Sequence, residues 1–268
     1  MDYWQNKVAL VTGGSSGLGN VIARAFAAAG VKVAIVGLEA DAAERAAVEM
    51  QAMGHDVLGL QADITRQEDV DRVFAATLER FGRLDVLVNN AGRSMRGKVL
   101  DTTPEQFRDL MELNFIALVR CTRAAAPHLL AQGGHVVNIG SLAGKSAVRW
   151  VGAYPATKHA VAAYSQQLRL ELGPQGLHVL LVCPGPIKRK DARLYPLAGL
   201  EGLPESARAP GAGVHVPDIY PEQLAAAATP ARPPGCNEPG QSDSTPSGRG
   251  TARAWRRALC RASCARRC

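Results

Sequence analysis

Tyr154-Pro155-Ala156-Thr157-Lys158 sets a phenol and an amine four residues apart. In a helix those two positions share one face. A free phenol has a pKa of roughly 10 and is a poor base near neutrality. A neighbouring ammonium favours the phenolate and lowers that value. The pair is therefore suited to proton transfer at a carbonyl or alcohol oxygen. Such a pair also arises by chance on exposed helices, so its meaning depends on its company. Ser141 follows an apolar run, Val136 to Ile139, and its hydroxyl could hold the reacting oxygen. The adjacent Gly140 and nearby Gly144 equally suit a turn serine. Asn114 interrupts the apolar stretch Leu113-Asn114-Phe115-Ile116-Ala117-Leu118. A buried amide needs partners, so it either bends its helix or serves a site.

A second constellation is the glycine loop Thr12-Gly13-Gly14-Ser15-Ser16-Gly17-Leu18-Gly19. Gly13 permits a tight turn. Gly17 and Gly19 let the backbone approach a pyrophosphate and let the following helix pack on the strand. The helix N-terminus supplies free N–H groups and a positive dipole. The spacing is G-x-x-x-G-x-G rather than G-x-G-x-x-G. Alone it would read as a sharp turn. Its place between a first strand and a first helix points to a dinucleotide.

These residues need a scaffold, and strand–helix alternation fills residues 7–183. Apolar runs at Val8–Val11, Val31–Val36, Val57–Leu60, Leu84–Val88, Val136–Ile139 and Val179–Val182 predict six strands. Helical patterns fall at 21–29, 41–54, 70–81, 104–130 and 156–172. Asp41 with Glu44 reads as a capping box for the second helix. Strands apolar at nearly every position imply a parallel sheet covered on both faces. The expected fold is α/β, a doubly wound, Rossmann-like sheet in three layers.

With both constellations placed, the chain resembles the short-chain dehydrogenase/reductase family. Thr12-Gly13-x-x-x-Gly17-x-Gly19 resembles its coenzyme loop, and Asn89-Asn90-Ala91-Gly92 its second signature. Ser141, Tyr154 and Lys158 resemble its catalytic residues, and Pro184-Gly185 its motif after strand six. The resemblance runs from about Lys7 to Ile187. It implies hydride transfer between NAD or NADP and a secondary alcohol or ketone. Tyr154 would donate the proton, Ser141 would stabilise the oxygen, and Lys158 would hold the nicotinamide ribose. Asn114 would join a water-linked proton relay from Lys158. Coenzyme contacts would fall on Gly13, Ser15, Ser16, Gly17, Leu18, Gly19, Leu38, Asp63, Ile64, Asn90, Ala91, Gly92, Tyr154, Lys158, Pro184, Gly185 and Ile187. Asp63 matches the adenine-contact position; a helix N-cap before Gln67 is its other reading.

The coenzyme choice sits after the second strand. An acid at the strand end would bond a ribose 2′-hydroxyl and repel a 2′-phosphate. Val36 is followed by Gly37 and Leu38, which supply no charge, and Glu39 comes later. Gly37 leaves room, which tips the expectation slightly to NADP. Two departures from the family stand out. Lys188-Arg189-Lys190 stands where a nicotinamide-contacting Thr is frequent. The helix begun at Pro221-Glu222-Gln223-Leu224-Ala225 is not followed by a run fit for a seventh strand.

The net charge of +7 divides unevenly. Residues 229–268 carry 8 Arg against Glu238 and Asp243, or 8 − 2 = +6. Residues 1–228 carry 23 basic and 22 acidic residues, or +1. The near-neutral body argues against nucleic-acid binding. Cys236, Cys260, Cys264 and Cys268 also lie in the tail; without C-x-x-C or His partners they make a poor zinc set. Cys121 and Cys183 read as small buried hydrophobes of a reducing, cytoplasmic setting. The tail, poor in apolar residues, is expected to be disordered. Its Arg, Ala, Pro, Gly and Cys are what GC-rich codons give in a wrong frame. The expected organisation is a catalytic domain at 1–228 and an atypical tail at 229–268. No apolar run spans a membrane, and no secretion signal opens the chain. Expected partners are a small alcohol or ketone and, if the C-terminus permits, further copies of the chain. The competing reading is a coenzyme-binding regulator without turnover. Segments 93–98, 142–150 and 186–215 should build the substrate surface. Met95, Val148, Trp150, Leu194 and Tyr195 within them suggest a partly apolar substrate.

Overall fold

The computed structural model describes residues 3–187 and 202–204. The six strands are β1 (Val8–Thr12), β2 (Lys32–Gly37), β3 (Val57–Gln61), β4 (Val86–Asn89), β5 (His135–Ile139) and β6 (His178–Val182). All pair in parallel, in the order β3-β2-β1-β4-β5-β6. The order reverses between β1 and β4, which opens a crevice at the carboxyl ends of those strands. The helices are α1 (Gly17–Ala28), α2 (Ala40–Gln51), α3 (Gln67–Phe81), α4 (Pro104–Met111), α5 (Ala117–Gln132) and α6 (Tyr154–Leu172).

Two apolar cores confirm the three layers. Alternate residues of β1 split between them: Ala9 and Val11 pack with Ile22, Phe26 and Met50, while Val8 and Leu10 pack with Phe74, Leu87 and Leu129. Every residue of β1, β4 and β5 is buried, as expected of parallel strands covered on both faces.

The long helical stretch from Pro104 is continuous but not uniform. A turn of π-helix, Glu112–Ile116, joins α4 to α5 and contains Asn114. Thr103 and Gln106 form a capping box at the start of α4. The capping box expected at Asp41 does not form. Glu39 is the N-cap of α2 without a side-chain bond, and Asp41 lies in the first turn. Asp41 instead pairs with Arg45 at 3.5 Å. Likewise Arg66, not Asp63, stands at the N-cap of α3. Cys121 is a core residue whose thiol burial pushes up to about 12. Cys183 is only half-buried and lies outside both cores. Among the described residues no helix is long and apolar enough to cross a membrane. The tail at 229–268 and the start of a helix at Pro221 lie outside the described residues.

Candidate active site

The glycine loop closes the carboxyl end of β1. Gly13 adopts φ +64, and a Cβ there would stand 2.9 Å from Asn90 Nδ2 and 3.0 Å from Ala91 Cα. A Cβ on Gly19 would overlap the Gly13 carbonyl oxygen and Asn90 Nδ2. Gly17, at φ +54, has nothing within 4 Å of that position. The first and third glycines are thus required by contact, the second by conformation. Ser16 is the N-cap of α1 but makes no side-chain cap bond, and the first turn holds no acid. Those backbone N–H groups therefore remain available to an anion. Ser16 and Gly17 are exposed, and Ser15 and Leu18 are partly so. This uncapped, acid-free helix start beside an open Gly17 fits a dinucleotide's pyrophosphate.

The strap after β4 is built into the same loop. Asn90 Nδ2 donates to the carbonyls of Thr12 at 3.0 Å and Gly13 at 3.2 Å. Thr12 Oγ1 accepts the N–H groups of Asn90 and Ala91. The Asn90 side-chain amide thus braces the loop from behind, which leaves its backbone and Ala91 to meet a ligand. Gly92 is exposed, and a Cβ there would stand 2.8 Å from Asn114 Oδ1 and 4.0 Å from Lys158 Nζ. Asn114 is buried. It accepts from Arg93 N and donates to Arg93 O, both at 2.9 Å, and to Thr157 Oγ1 at 3.1 Å. The side chain of Asn114 therefore staples the strap to α6 across the π turn.

Ser141 follows β5 and caps a short 3₁₀ turn, Leu142–Gly144, by accepting from Ala143 N at 3.1 Å. Ser141 is thus a turn serine, and its O–H proton has no acceptor among the described residues. Tyr154 and Lys158 open α6 on one face, with Lys158 Nζ 5.8 Å from the Tyr154 ring centre. Lys158 is only 6% exposed and donates to Ile139 O at 2.8 Å. Burial lowers its pKa to about 8, partly offset by Cys183. Gly144 lies so close to α6 that a Cβ would stand 2.5 Å from Lys158 O. The four residues singled out from sequence thus converge at the carboxyl ends of β4 and β5.

The outer coenzyme positions divide. Leu38 is 67% exposed at the end of β2. A Cβ on Gly37 would stand 2.7 Å from Ser15 Oγ and 3.3 Å from Ala43 Cβ. The room expected beside Gly37 is therefore filled by the glycine loop, so space at that residue does not favour NADP. Asp63 Oδ1 accepts from Thr65 N and Thr65 Oγ1, so it caps a turn. Ile64 belongs to the core, which leaves its backbone rather than its side chain to any coenzyme. Pro184 O accepts from Leu142 N at 2.9 Å and so holds the Ser141 turn. Gly185 and Ile187 are half-buried beside it. Lys188, Arg189, Lys190, Leu194 and Tyr195 lie outside the described residues.

The profile of the short chain dehydrogenase family matches residues 7–193. The chain belongs to that family. L-fucose dehydrogenase of Bos taurus is 40% identical over 185 residues, 69% of this chain and 67% of the relative. 2-(R)-Hydroxypropyl-CoM dehydrogenase of Xanthobacter autotrophicus is 40% identical over 188 residues, 68% and 75% respectively. Dehydrogenase/reductase SDR family member 7B of Danio rerio is 37% identical; the match spans 69% of this chain and 62% of the relative. Among solved structures, a short-chain dehydrogenase from Streptomyces avermitilis superposes with a TM-score of 0.72 at 37% identity, covering 82% of this chain and 81% of the other. A short-chain dehydrogenase/reductase from Burkholderia phymatum, in complex with NAD, gives 0.72 at 26% identity, covering 84% and 85%. The family is one of NAD(P)-using oxidoreductases.

As a short-chain dehydrogenase the chain shows supports that its motifs alone do not. Thr12 and Thr157 anchor the loop and the strap, and both sit inside the quoted motifs, which was the signal for them. The wall beside Tyr154 joins three segments. Gly97 N donates to Trp150 O, Gly152 N donates to Gly97 O, and Tyr154 N donates to Val151 O. Trp150 adopts φ +62 and packs on buried Leu203. A bulky residue in that conformation costs roughly 1–3 kcal/mol and persists only where its surroundings fix it. Nothing in the sequence announces this strain.

Proposed function

We propose that this chain interconverts a secondary alcohol and a ketone with NADP or NAD, using Tyr154 as the general acid and base. The observation that carries this reading is the placement of Lys158. It is a buried ammonium tethered to Ile139 O, one helical turn from Tyr154 and beside the glycine-lined strap. A bound nicotinamide supplies or receives the hydride. In the reducing direction Tyr154 gives its phenolic proton to the carbonyl oxygen, and the Ser141 hydroxyl donates a hydrogen bond to the same oxygen. Lys158 has three N–H donors, of which one goes to Ile139 O. The other two suit ribose hydroxyls or a water. Below its pKa of about 8 the ammonium persists and favours phenolate on Tyr154.

Asn114 supports the relay from its backbone. Its side-chain oxygen and both amide protons are already engaged. A water linked to Lys158 would therefore rest on a main-chain carbonyl, and the π turn disturbs the helical ladder there. Gly13, Gly17 and Gly19 with the α1 N-terminus would hold the pyrophosphate. Leu38 and the Asp63–Ile64 backbone would flank the adenine. NADP is favoured because Gly37 and Leu38 at the end of β2 carry no charge, and the carboxylate of Glu39, two residues after the strand, is exposed.

Screening ketones and alcohols for a change in nicotinamide absorbance tests the proposal. Turnover by the wild type and its loss in Tyr154→Phe are expected. Full turnover by Tyr154→Phe would overturn the mechanism. Comparing kcat/KM for the two coenzymes decides between NADP and NAD.

A further inference from the structure

The loop that joins Ser141 to Tyr154 carries charge of one sign. Residues 142–153 hold Lys145 and Arg149 and no acid. Both are exposed, and neither forms an ion pair with a described residue. Elsewhere on the surface Arg24, Arg72, Arg80, Arg108 and Arg120 each meet a carboxylate, while Arg66, Arg123 and Arg169 are exposed without one among the described residues and lie away from the Ser141–Tyr154 loop in the chain. The facing segment, 92–100, is also basic and acid-free. There Lys98 faces Asp101 at 3.9 Å, while Arg93 is exposed without an ion pair among the described residues. Lys145 and Arg149 are the two unpaired cations of the loop that joins Ser141 to Tyr154.

Their loop is pinned at the reacting centre. Gly144, just before Lys145, presses on the backbone of Lys158. The Lys145 charge is felt at the half-buried thiol of Cys183, which lies against Gly140. Arg149 precedes Trp150, whose strained backbone is fixed by Gly97 and covered by Leu203. The same loop carries apolar surface: Leu142 is 42% exposed and Trp150 is half-buried. A guanidinium presents a donor fork that matches a carboxylate, phosphate or sulfonate.

We infer that the substrate carries an anionic group beside an apolar chain, and that Arg149 and Lys145 receive that group. The inference rests on the alcohol/ketone reading above and narrows its substrate class. Arg149 and Lys145 would act on substrate selection, not on hydride or proton transfer.

The test compares oxo carboxylic acids of stepped chain length, levulinate among them, each with its methyl ester. For the best chain length, kcat/KM for the acid is expected to exceed that for the ester by about 10- to 100-fold. Arg149→Gln combined with Lys145→Gln should erase that preference while leaving coenzyme Kd and turnover of the ester unchanged. Equal use of acid and ester by the wild type, or a preference that survives the double substitution, would overturn the inference. If no ketone or alcohol of either charge is turned over, the oxidoreductase reading fails by itself. Binding of acid and ester to the protein–NADPH complex, followed by coenzyme fluorescence, then decides the anion site. Tighter binding of the acid, lost in the double variant, supports it. Equal binding, or none, refutes it.

Discussion

The two ends of the parallel sheet are built on opposite terms. At the carboxyl ends of the strands, backbone approaches backbone at Gly13, Gly19, Gly140 and Gly144, and donors at the α1 N-terminus are left uncapped. At the amino ends the space is filled. Trp4 packs edge-on against Phe26, His135 stacks on His178 at 4.8 Å, and the Tyr3 hydroxyl meets His135 Nε2 at 3.0 Å. Asp85, 1% exposed, is held by Arg83 through two bonds of 2.6 and 2.8 Å, by Lys7 at 3.4 Å and by Val8 N at 2.9 Å. Burial alone would raise its pKa; Arg83, the Val8 N–H and Lys7 together hold it below the usual carboxylate value. The contrast shows how one sheet divides its work. One end is saturated and holds the strands in register, so the other can keep polar groups and space in reserve for ligands.

If the division is real, substitutions at the two ends should separate function from stability. The largest effect is expected for Tyr154→Phe: a loss of turnover of roughly 10³-fold with coenzyme Kd nearly unchanged, measured by steady-state kinetics and coenzyme titration. Gly19→Val should blur the distinction, because its side chain would overlap the Gly13 carbonyl. It should abolish coenzyme binding and also cost on the order of 3 kcal/mol of stability by overpacking, read from denaturant unfolding. Asp85→Asn lies wholly on the closed end. It should lower stability by about 2–3 kcal/mol yet leave coenzyme Kd unchanged. A shifted Kd would show that the two ends are coupled.

The pH response sharpens the same comparison. Burial, with smaller contributions from His178 and Lys7, lowers the pKa of His135 to about 4 from its usual 6.5. The folded chain therefore binds this proton less readily than the unfolded chain. The contribution to stability is complete above pH 6.5 and is lost as pH falls toward about 4, by up to about 3 kcal/mol. His135→Gln should flatten that part of the unfolding profile. An unchanged slope would remove His135 as its source. The smallest effect is expected at neither end: Thr103→Ala breaks the α4 capping box and should cost about 1 kcal/mol.

Much of this was legible in the sequence because it is local. Apolar runs placed all six strands to within two residues, since strands buried on both faces leave an unbroken signal. Glycine spacing placed the loop, and the Tyr–Lys spacing placed one helical face. Local signals misled where several polar residues compete for one terminus. Asp41 and Asp63 both looked like caps, but the chain path set the N-caps at Glu39 and Arg66. Cys183 read as core because its run is apolar, yet it sits at the edge beside Gly140, where the sheet gives way to the site.

The sequence by itself determined the element order, the glycine loop and the placing of Tyr154 and Lys158 on one helical face. These follow from periodicity and from the chemistry of single side chains. Only the tertiary structure decided that Asn90 braces the loop, that Ser15 fills the space beside Gly37, and that the Lys158 ammonium is buried against Ile139 O. Each of these joins segments far apart in the chain, and no local pattern records which distant backbone will arrive there. The charge of the body followed the same rule. Composition showed it to be near neutral, while the fold set two unpaired cations on the loop between Ser141 and Tyr154.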